Sequence, residues 1–409
     1  MILRRLSSFL PLLAVHATPA PSSPGSNADV QLLFSLPGND TWLENLAYRA
    51  STNAILATRL DIPQIWSIDA TSGSGTLLAN VSTIGALAGI AQLGLSSSFG
   101  SSTTSNGNSN EDFLIAGLNF SALTGLQPNS SAFWKLSFEQ SNASSSLFTI
   151  QEAFTVPGIG LVNGLATWNA SMILAADSAM GAIWRIDVHT GDAAIVLQDP
   201  TMKPVSSIGV NGVKVFRSSP ASTDCSLCHQ SRAAATAATA RAETKIANTT
   251  TDTAYIYYTS TEQSLLARIA VDPVTATPLG PAQILASGLG EADDFTLVVE
   301  DQAQEQEQEQ EDEDGCTHNT SSEVTAVLLA TGRNNSIVLV GLDGNVVTVA
   351  GGSSNSNSSE SLALAGATAC HFGSASTGSA SRLFVTTAGG AESDGLVEAP
   401  GRLVAVELF

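Results

Sequence analysis

Two stretches of the chain share one pattern and decide its fold: ENLAYRASTNAILATRLDIPQIWSID at residues 44–69 and NGLATWNASMILAADSAMGAIWRID at residues 163–187. Each begins with polar residues, continues through a short alternating strand and an apolar strand, and ends in Trp-x-Ile-Asp at residues 66–69 and 184–187. A turn and one more short strand follow in both. Self-similarity of this kind indicates a repeat architecture built from one supersecondary unit.

Four weaker copies of the pattern fill the rest of the chain. They lie at 113–116 with 132–136, 254–259 with 265–271, 324–330 with 337–342, and 382–387 with 402–409. Six units of short strands, with almost no long amphipathic helical pattern, predict an all-β, six-bladed β-propeller of four-stranded antiparallel blades. A pair of β-sandwiches does not account for the repeated Trp-x-Ile-Asp. The segment near Ser35 and Leu36 is predicted to complete the blade that the C-terminal strands begin.

Three polar segments interrupt the repeats, and the propeller is predicted to span residues 28–409 around them. The insertions lie at 96–110, 218–251 and 302–322, and long loops of this kind add little closure entropy. Residues 300–314 alone carry nine acidic side chains of a chain whose net charge is −21. Alternating Gln and Glu supply no fixed ligand geometry, so a solvated loop is predicted there rather than a calcium site.

The composition excludes several classes of protein. The net charge of −21 leaves no basic surface for nucleic acid, and 43% hydrophobic residues are too many for a disordered chain. Residues 1–20 are typical of a secretory signal peptide, because Arg4 and Arg5 precede an apolar run at 6–15 that is too short to span a bilayer. The mature chain is therefore expected to be secreted or lumenal, without a membrane span.

Asn-x-Ser/Thr sequons are frequent and agree with a secreted glycoprotein. Their acceptor residues are Asn39, Asn80, Asn119, Asn129, Asn142, Asn169, Asn248, Asn319, Asn334 and Asn357. Modified sequons must lie on the surface of the folded protein.

One cysteine pattern in the sequence matches a known cofactor-attachment motif. Cys225-Ser-Leu-Cys228-His229 matches the C-x-x-C-H of covalent haem attachment, but it lies inside an insertion of a secretory chain. A Cys225–Cys228 disulfide, or a pairing of one of them with Cys316, is favoured instead. Structural zinc would need a second cysteine pair, which Cys316 and Cys370 do not form in sequence.

Polar residues recur just before an apolar strand in most units. In a propeller the loops that enter the innermost strands converge on one mouth of the central channel, so these residues are predicted to meet there. They are Glu44-Asn45, Asn163-Gly164, Asn211-Gly212, Asp293-Asp294 and His371-Phe372, and Asp177-Ser178 opens a later strand of the third unit. For each pair taken alone, an ordinary turn is the alternative interpretation.

Five segments resemble the gluconolactonase/regucalcin-like six-bladed propellers over most of residues 30–409 outside the insertions. They are WLENLA (42–47), GLVNGLATWN…ILAADSAMGAIWRID (160–187), IGVNGVKV (208–215), EADDFTL (291–297) and ATACHFG (367–373). In hydrolases of that family, the resemblance implies a divalent cation held by a Glu, an Asn before a Gly, and an Asp. Glu44 and Asn163 match, but the third position is Asn211, an amide that weakens a Ca²⁺ site.

The chain is more similar to a secreted fungal branch that includes hetero-Diels–Alderases of tropolone–sesquiterpene meroterpenoid biosynthesis. This resemblance implies a cofactor-independent cycloaddition of a tropolone-type quinone methide with a terpene alkene, both apolar small molecules. Such chemistry needs a cleft that holds the two reactants together and hydrogen-bond donors, such as the amides of Asn45, Asn163 and Asn211, that polarise a carbonyl.

The expected roles follow from that implied chemistry. The predicted catalytic residues are His371, Asp294 and Asn163. The predicted substrate-binding residues are Trp42, Glu44, Asn45, Asp177, Asn211 and Phe372. Two alternatives stay open: a lactone or ester hydrolase with a divalent cation on Glu44, Asn163 and Asn211, and a binding propeller without catalysis. A serine hydrolase is not indicated, because no G-x-S-x-G stands on a strand-to-helix turn.

Overall fold

Six four-stranded antiparallel sheets form the blades of a six-bladed β-propeller, which confirms the predicted fold class. The computed structural model describes residues 28–94, 111–121, 125–127, 130–139, 147–217, 254–303, 320–352, 362–373, 382–389 and 399–408. The predicted signal peptide, most of the three insertions, and Cys225, Cys228 and Cys316 lie outside these residues. Within them, no helix is long and apolar enough to cross a membrane.

In blades 1 to 5 the strands run in chain order from the innermost to the outermost position. β1 (Asp29–Ser35) is followed by blade 1, which contains β2 (Leu43–Arg49), β3 (Ala54–Arg59), β4 (Gln64–Asp69) and β5 (Gly75–Asn80). Blade 2 contains β6 (Ala86–Gln92), β7 (Glu111–Leu118), β10 (Ala132–Phe138) and β11 (Phe148–Thr155), with a side hairpin of β8 (Phe120–Ser121) and β9 (Gly125–Leu126). Blade 3 contains β12 (Val162–Thr167), β13 (Met172–Asp177), β14 (Ala182–Asp187) and β15 (Ala193–Leu197).

The second half of the ring repeats this order. Blade 4 contains β16 (Val210–Arg217), β17 (Ala254–Ser260), β18 (Leu265–Val271) and β19 (Gln283–Ser287). Blade 5 contains β20 (Ala292–Ala303), β21 (Thr320–Thr331), β22 (Ser336–Gly341) and β23 (Val346–Gly351), and blade 6 contains β24 (Ala367–Phe372), β25 (Arg382–Thr387) and β26 (Arg402–Glu407). Single 3₁₀ turns lie at Ala50–Thr52 and Pro200–Met202.

β1 closes the ring by adding the outermost strand to blade 6. It pairs antiparallel with β26, from Asp29 opposite Glu407 to Ser35 opposite Arg402, and the Leu36 N–H continues the pairing to the Gly401 carbonyl at 2.9 Å. The predicted ring closure near Ser35 and Leu36 is therefore confirmed. Closure of this kind protects sheet edges that would otherwise pair with other chains.

The repeated Trp-x-Ile-Asp ends the third strand of blades 1 and 3. Asp69 accepts hydrogen bonds from two backbone N–H groups of the following turn, and Asp187 does the same in blade 3. These bonds to the charged form hold the pKa of both carboxyls below its usual range. The motif therefore fixes the hairpin between the third and fourth strands.

Apolar side chains pack between neighbouring blades. Six buried clusters occupy the six blade-to-blade interfaces among the described residues. The cluster between blades 3 and 4 is built around Trp168 and Tyr258, both fully buried. Each blade is thus stabilised by two neighbours, as radial repeats require.

All three insertions connect the first and second strands of their blades. The segments 95–110 and 218–253 leave blades 2 and 4 between these strands, and 304–319 does so in blade 5. β20 runs to Ala303 and β21 begins at Thr320, so both ends of the predicted 302–322 insertion lie in strands. First-to-second-strand connections emerge on the face opposite the mouth where the innermost strands begin.

Five of the ten predicted sequons fall on described residues. Asn39, Asn80, Asn169 and Asn334 are exposed, whereas Asn119 is half-buried and its side chain accepts the Gly85 N–H. The acceptors outside the described residues are Asn129, Asn142, Asn248, Asn319 and Asn357. Glycosylation stays a prediction.

Candidate functional site

A β-bulge near the start of each innermost strand brings the predicted polar pairs to one mouth of the channel. In blade 1, Leu43 and Leu46 pair with β3, so that Glu44 and Asn45 are left out of the ladder. The same break in register occurs in blades 3, 4 and 5, where the pairs are Asn163-Gly164, Asn211-Gly212 and Asp293-Asp294. Bulges of this kind aim side chains away from the sheet, and the predicted convergence of these four pairs is confirmed.

The assignment of His371 and Phe372 to this mouth was wrong. In β24 the break in register lies between Ala367 and Ala369, so the bulged residue is Thr368. His371 and Phe372 end the strand on the far side of the channel: Phe372 packs in the cluster between blades 5 and 6, and His371 Nδ1 lies 2.6 Å from the Phe372 carbonyl. Burial lowers the pKa of His371 below its usual value. Its predicted role in catalysis at the mouth loses its geometric basis.

A cavity of about 610 Å³ opens at the mouth. The first bulged residues of five innermost strands line it: Glu44, Ala88, Asn163, Asn211 and Asp293. Apolar side chains from connecting loops and neighbouring strands form part of the wall: Leu60, Leu118, Phe120, Leu161, Val162, Val205 and Ile208. Together with Trp42 they give the cavity apolar surface beside its polar groups, a combination that is usual in small-molecule sites.

Glu44 is the buried carboxyl group of this cavity, with only 5% of its surface exposed. Trp42 Nε1 donates a hydrogen bond to its Oε2 at 2.5 Å. Burial raises the pKa of Glu44 to about 7, the Trp42 hydrogen bond opposes this shift, and the nearby charge of Asp294 adds to it. A carboxyl that titrates near neutral pH can both donate and accept a proton in catalysis.

This raised pKa predicts a pH dependence of stability. A carboxyl whose pKa rises from 4.5 to about 7 on folding binds more protons in the folded state between these values, so the free energy of unfolding falls as pH rises through that window. Between about pH 5 and about pH 8, we expect the wild type to lose about 2–3 kcal/mol relative to Glu44→Gln. Urea unfolding of both proteins at the two pH values measures this; parallel pH profiles would contradict it.

Two buried amides complete the polar centre. Asn163 and Asn211 are 7% and 4% exposed, and the Oδ1 atom of each has no hydrogen-bond partner among the described residues. An unpaired buried acceptor costs about 1–3 kcal/mol, and such atoms are rare in folded proteins. Both oxygens therefore mark positions where a ligand would bond.

Two of the three predicted amide donors are engaged by neighbouring side chains. Asn45 Nδ2 donates to Asp294 Oδ2 at 2.9 Å, and Asn211 Nδ2 donates to Thr261 Oγ1 at 3.0 Å. Each nitrogen thus commits one of its two hydrogens within the protein. Among the described residues, the unpartnered atoms of the polar centre are the amide oxygens of Asn163 and Asn211.

Asp294 is buried next to the lining residue Asp293 and is held by three hydrogen bonds. Its Oδ1 accepts from Lys214 Nζ at 2.5 Å and from the Phe295 N–H at 2.8 Å, while its Oδ2 accepts from Asn45. Asp294 is buried and does not line the cavity. The predicted catalytic Asp294 and substrate-binding Asn45 thus form a cross-channel link.

Glycines let the innermost strands approach closely at this level. A Cβ on Gly164 would stand 2.6 Å from the Asn211 carbonyl oxygen. We expect Gly164→Ala to lower the free energy of unfolding by about 1–3 kcal/mol, because neighbouring backbones must move apart. Gly280→Ala is the control, since no atom lies within 4 Å of its Cβ position. Denaturant unfolding measures both, and equal effects would contradict the close packing.

Asp177 supports the wall rather than facing the ligand space. It is fully buried, and its carboxylate accepts the N–H groups of Gly160, Leu161 and Met180 together with Trp184 Nε1. It does not line the cavity. Its predicted contact with substrate is replaced by a role in holding Leu161 in the wall.

Glu262, Glu291 and Arg333 were not predicted at the mouth, and Asp293 was predicted to reach it but received no site role. Asp293 lines the cavity while its neighbour Asp294 does not, and Glu291 pairs with Arg333 at the rim at 2.7 Å. Glu262 accepts the N–H groups of the neighbouring loop at 205–207. Although burial acts to raise it, these hydrogen bonds hold the pKa of Glu262 well below its usual range. The place of Asp293 as the first residue of its polar pair, shared with Glu44 and Asn163, was the signal that could have given it the site role instead of Asp294.

The mouth contains oxygen atoms of the type that a hard divalent cation takes as ligands. No group of three or more His, Cys, Asp or Glu side chains in the described ranges is arranged as a metal site. Two carboxylates and two amides nevertheless share one level of the cavity, at Glu44, Asp293, Asn163 and Asn211, and Ca²⁺ or Mg²⁺ takes such oxygens. Asp293 supplies the second carboxylate that Asn211 lacks.

Comparison with known proteins shows the fold. No family model and no curated protein matches the sequence. Among solved structures, an auxiliary nutrient binding protein from Bacteroides thetaiotaomicron is 10% identical, with 92% of this chain and 75% of that chain covered and a TM-score of 0.52. Regucalcin from Agrobacterium tumefaciens is 14% identical (93% and 95% covered, TM-score 0.46), and virginiamycin B lyase from Staphylococcus aureus is 11% identical (93% and 99% covered, TM-score 0.42). The chain is a six-bladed β-propeller whose structural neighbours include regucalcin and virginiamycin B lyase.

Proposed function

We propose that the protein is a cofactor-independent hetero-Diels–Alderase of fungal meroterpenoid biosynthesis. It would join a tropolone-type quinone methide to a terpene alkene. The observation that carries the proposal is Glu44, a buried carboxyl group that lines a partly apolar cavity of about 610 Å³. The resemblance of the mouth segments to that fungal branch gives the substrate class.

Glu44 has the position and acidity for making the reactive partner. Its pKa of about 7 leaves a protonated fraction at neutral pH, which can donate to the hydroxymethyl oxygen of a tropolone precursor as the C–O bond breaks and water leaves. The resulting Glu44 carboxylate then takes the proton of the ring hydroxyl. This restores the acid and leaves a neutral quinone methide.

The apolar wall would carry the second step. The quinone methide and the alkene form one C–C bond and one C–O bond, and no other atom is gained or lost. This step needs no nucleophile, because holding two reactants in the reactive orientation can remove several kcal/mol of the barrier. Leu118, Phe120 and Ile208 offer the surface on which two apolar molecules can lie together.

Direct assay tests this proposal. The purified protein is incubated with a hydroxymethyl tropolone precursor and a humulene-type alkene, and the rate and stereochemistry of the adduct are compared with a protein-free control. A faster reaction that yields one stereoisomer supports the proposal. Product identical in rate and stereochemistry to the control would rule it out.

A metal-dependent lactone or ester hydrolase is the second candidate. The observation that favours it is the pair of unpartnered amide oxygens on Asn163 and Asn211 beside Glu44 and Asp293. A bound divalent cation would supply an acidic water for attack on the ester carbonyl, and Glu44 and Asp293 would hold that cation. Stoichiometric metal in the purified protein, with chelator-sensitive lactone opening, supports this candidate over the first.

A further inference from the structure

Thr261 fixes the orientation of the Asn211 amide. The Thr261 hydroxyl donates its single hydrogen to the Ala292 carbonyl at 2.9 Å, so its contact with Asn211 at 3.0 Å must be one in which it accepts. Only the amide nitrogen can donate in that contact. The position of Asn211 Oδ1 is therefore set by the hydrogen-bond network, and that oxygen has no partner among the described residues.

Other polar groups at the cavity floor also offer acceptor oxygens. Asn163 carries a second unpartnered buried Oδ1, and Glu44 and Asp293 contribute carboxyl oxygens. Among the described lining residues, Arg333 is the one cationic side chain; it is 72% exposed and paired with Glu291 at the rim. The floor, formed by the described residues Glu44, Asn163, Asn211 and Asp293, thus holds two unpartnered acceptors and offers no cation to an anion.

We propose that Thr261 is a positioning residue that holds Asn211 as an acceptor, so that the cavity selects neutral ligands bearing hydroxyl donors and rejects their ethers and anionic analogues. This inference rests on the proposed function in one respect: both take this cavity as the substrate site. A hydroxymethyl tropolone, with two hydroxyl groups on a flat apolar ring, has this chemistry. A site that bonds a hydroxyl discriminates strongly against an analogue without one, because its buried acceptors are then left unpaired.

Isothermal titration with three probes tests the selectivity in EDTA-treated protein. The probes are 2-(hydroxymethyl)phenol, its dimethyl ether and salicylate. We expect the diol to bind wild type at least about tenfold more tightly than either analogue, which corresponds to about 1.4 kcal/mol. Equal affinity for the three probes would overturn the inference.

Variants at the two residues separate positioning from general structure. Thr261→Val keeps the shape but removes the acceptor, so the diol preference should fall to about threefold or less, while Thr261→Ser should keep it. Adding Asn211→Asp to Thr261→Val should restore the preference, because either carboxylate oxygen accepts. A Thr261→Val protein with unchanged preference, or no rescue by Asn211→Asp, would contradict a positioning role. If Thr261→Val fails to fold, Thr261→Ala with and without Asn211→Asp gives the same comparison.

Two further outcomes keep this inference distinct from the proposed function. If the diol preference holds but no adduct forms in the cycloaddition assay, the acceptor floor stands and the proposed reaction fails. If diol binding disappears in EDTA and returns with CaCl₂, the floor oxygens bind a cation instead of hydroxyl groups, and the inference is lost.

Discussion

Replacing Glu44 with Gln is expected to lower kcat by about 10²–10⁴-fold, the usual contribution of a general acid–base group. Gln keeps the size of the side chain, and its amide oxygen can still accept the Trp42 Nε1 hydrogen bond that Glu44 accepts. It cannot exchange a proton near pH 7. Steady-state kinetics on the cycloaddition substrates should therefore show a fall in kcat with little change in KM.

A matched control is available on the surface. Glu152 lies exposed on β11, away from the cavity, so Glu152→Gln should leave kcat and KM unchanged. Unfolding curves of both variants confirm that the fold is intact. A Glu44→Gln protein with wild-type kcat would show that the reaction is catalysed by binding alone, and would remove the observation on which the proposed function depends.

Replacing Lys214 with Met is expected to destabilise the protein by about 3–5 kcal/mol, because it leaves a buried charge without its partner. Lys214 Nζ lies 2.5 Å from Asp294 Oδ1, and the Asp294 side chain is 5% exposed. Without the ammonium group, the carboxylate keeps only its contacts with Asn45 and the Phe295 N–H. Urea unfolding at neutral pH measures the loss.

The double variant Lys214→Met/Asp294→Asn tests the cause. Removing the charge of Asp294 should recover most of the stability, since the uncompensated carboxylate is then gone. Lys135→Met is the control, because Lys135 pairs with Asp112 on the surface with 37% of its side chain exposed, and such pairs contribute about 0–1 kcal/mol. If Lys214→Met and Lys135→Met lower the free energy of unfolding equally, the Lys214–Asp294 pair does not act as a desolvated ion pair.

The sequence predicted the ring because its pattern repeats in every blade. Short strands, turn residues and the recurring Trp-x-Ile-Asp are local signals, and the structure places them at the same position in blades 1 and 3. The mouth residues Glu44, Asn163 and Asn211 were found for a related reason, because a polar pair recurs at the same point of several units. The pairs were expected just before the apolar strands, whereas the structure places them inside the strands, where a bulge takes them out of the ladder. Because the same break in register occurs in blades 1, 3 and 4, the three residues lie at the same level of the channel.

The rest of the site depends on contacts that local pattern does not encode. His371 was misplaced because it is the conspicuous polar residue of ATACHF. The position of the bulge depends instead on the register of β24 against β25, which leaves Thr368 out of the ladder. Phe120 and Ile208 reach the cavity from connections whose path is set by tertiary packing. The orientation of Asn211 depends on Thr261, fifty residues further along the chain.

The pairing of β1 with β26 also orders events during synthesis. Residues 29–35 leave the ribosome early but cannot find their partner until residues 402–407 have been made. Until then β1 has no strand partner while blades 1 to 5 are being translated. Contacts this distant in sequence are slow to form and leave aggregation-prone edges exposed. A nascent chain released before residue 402 would therefore keep blade 6 open and would be a natural substrate for chaperones.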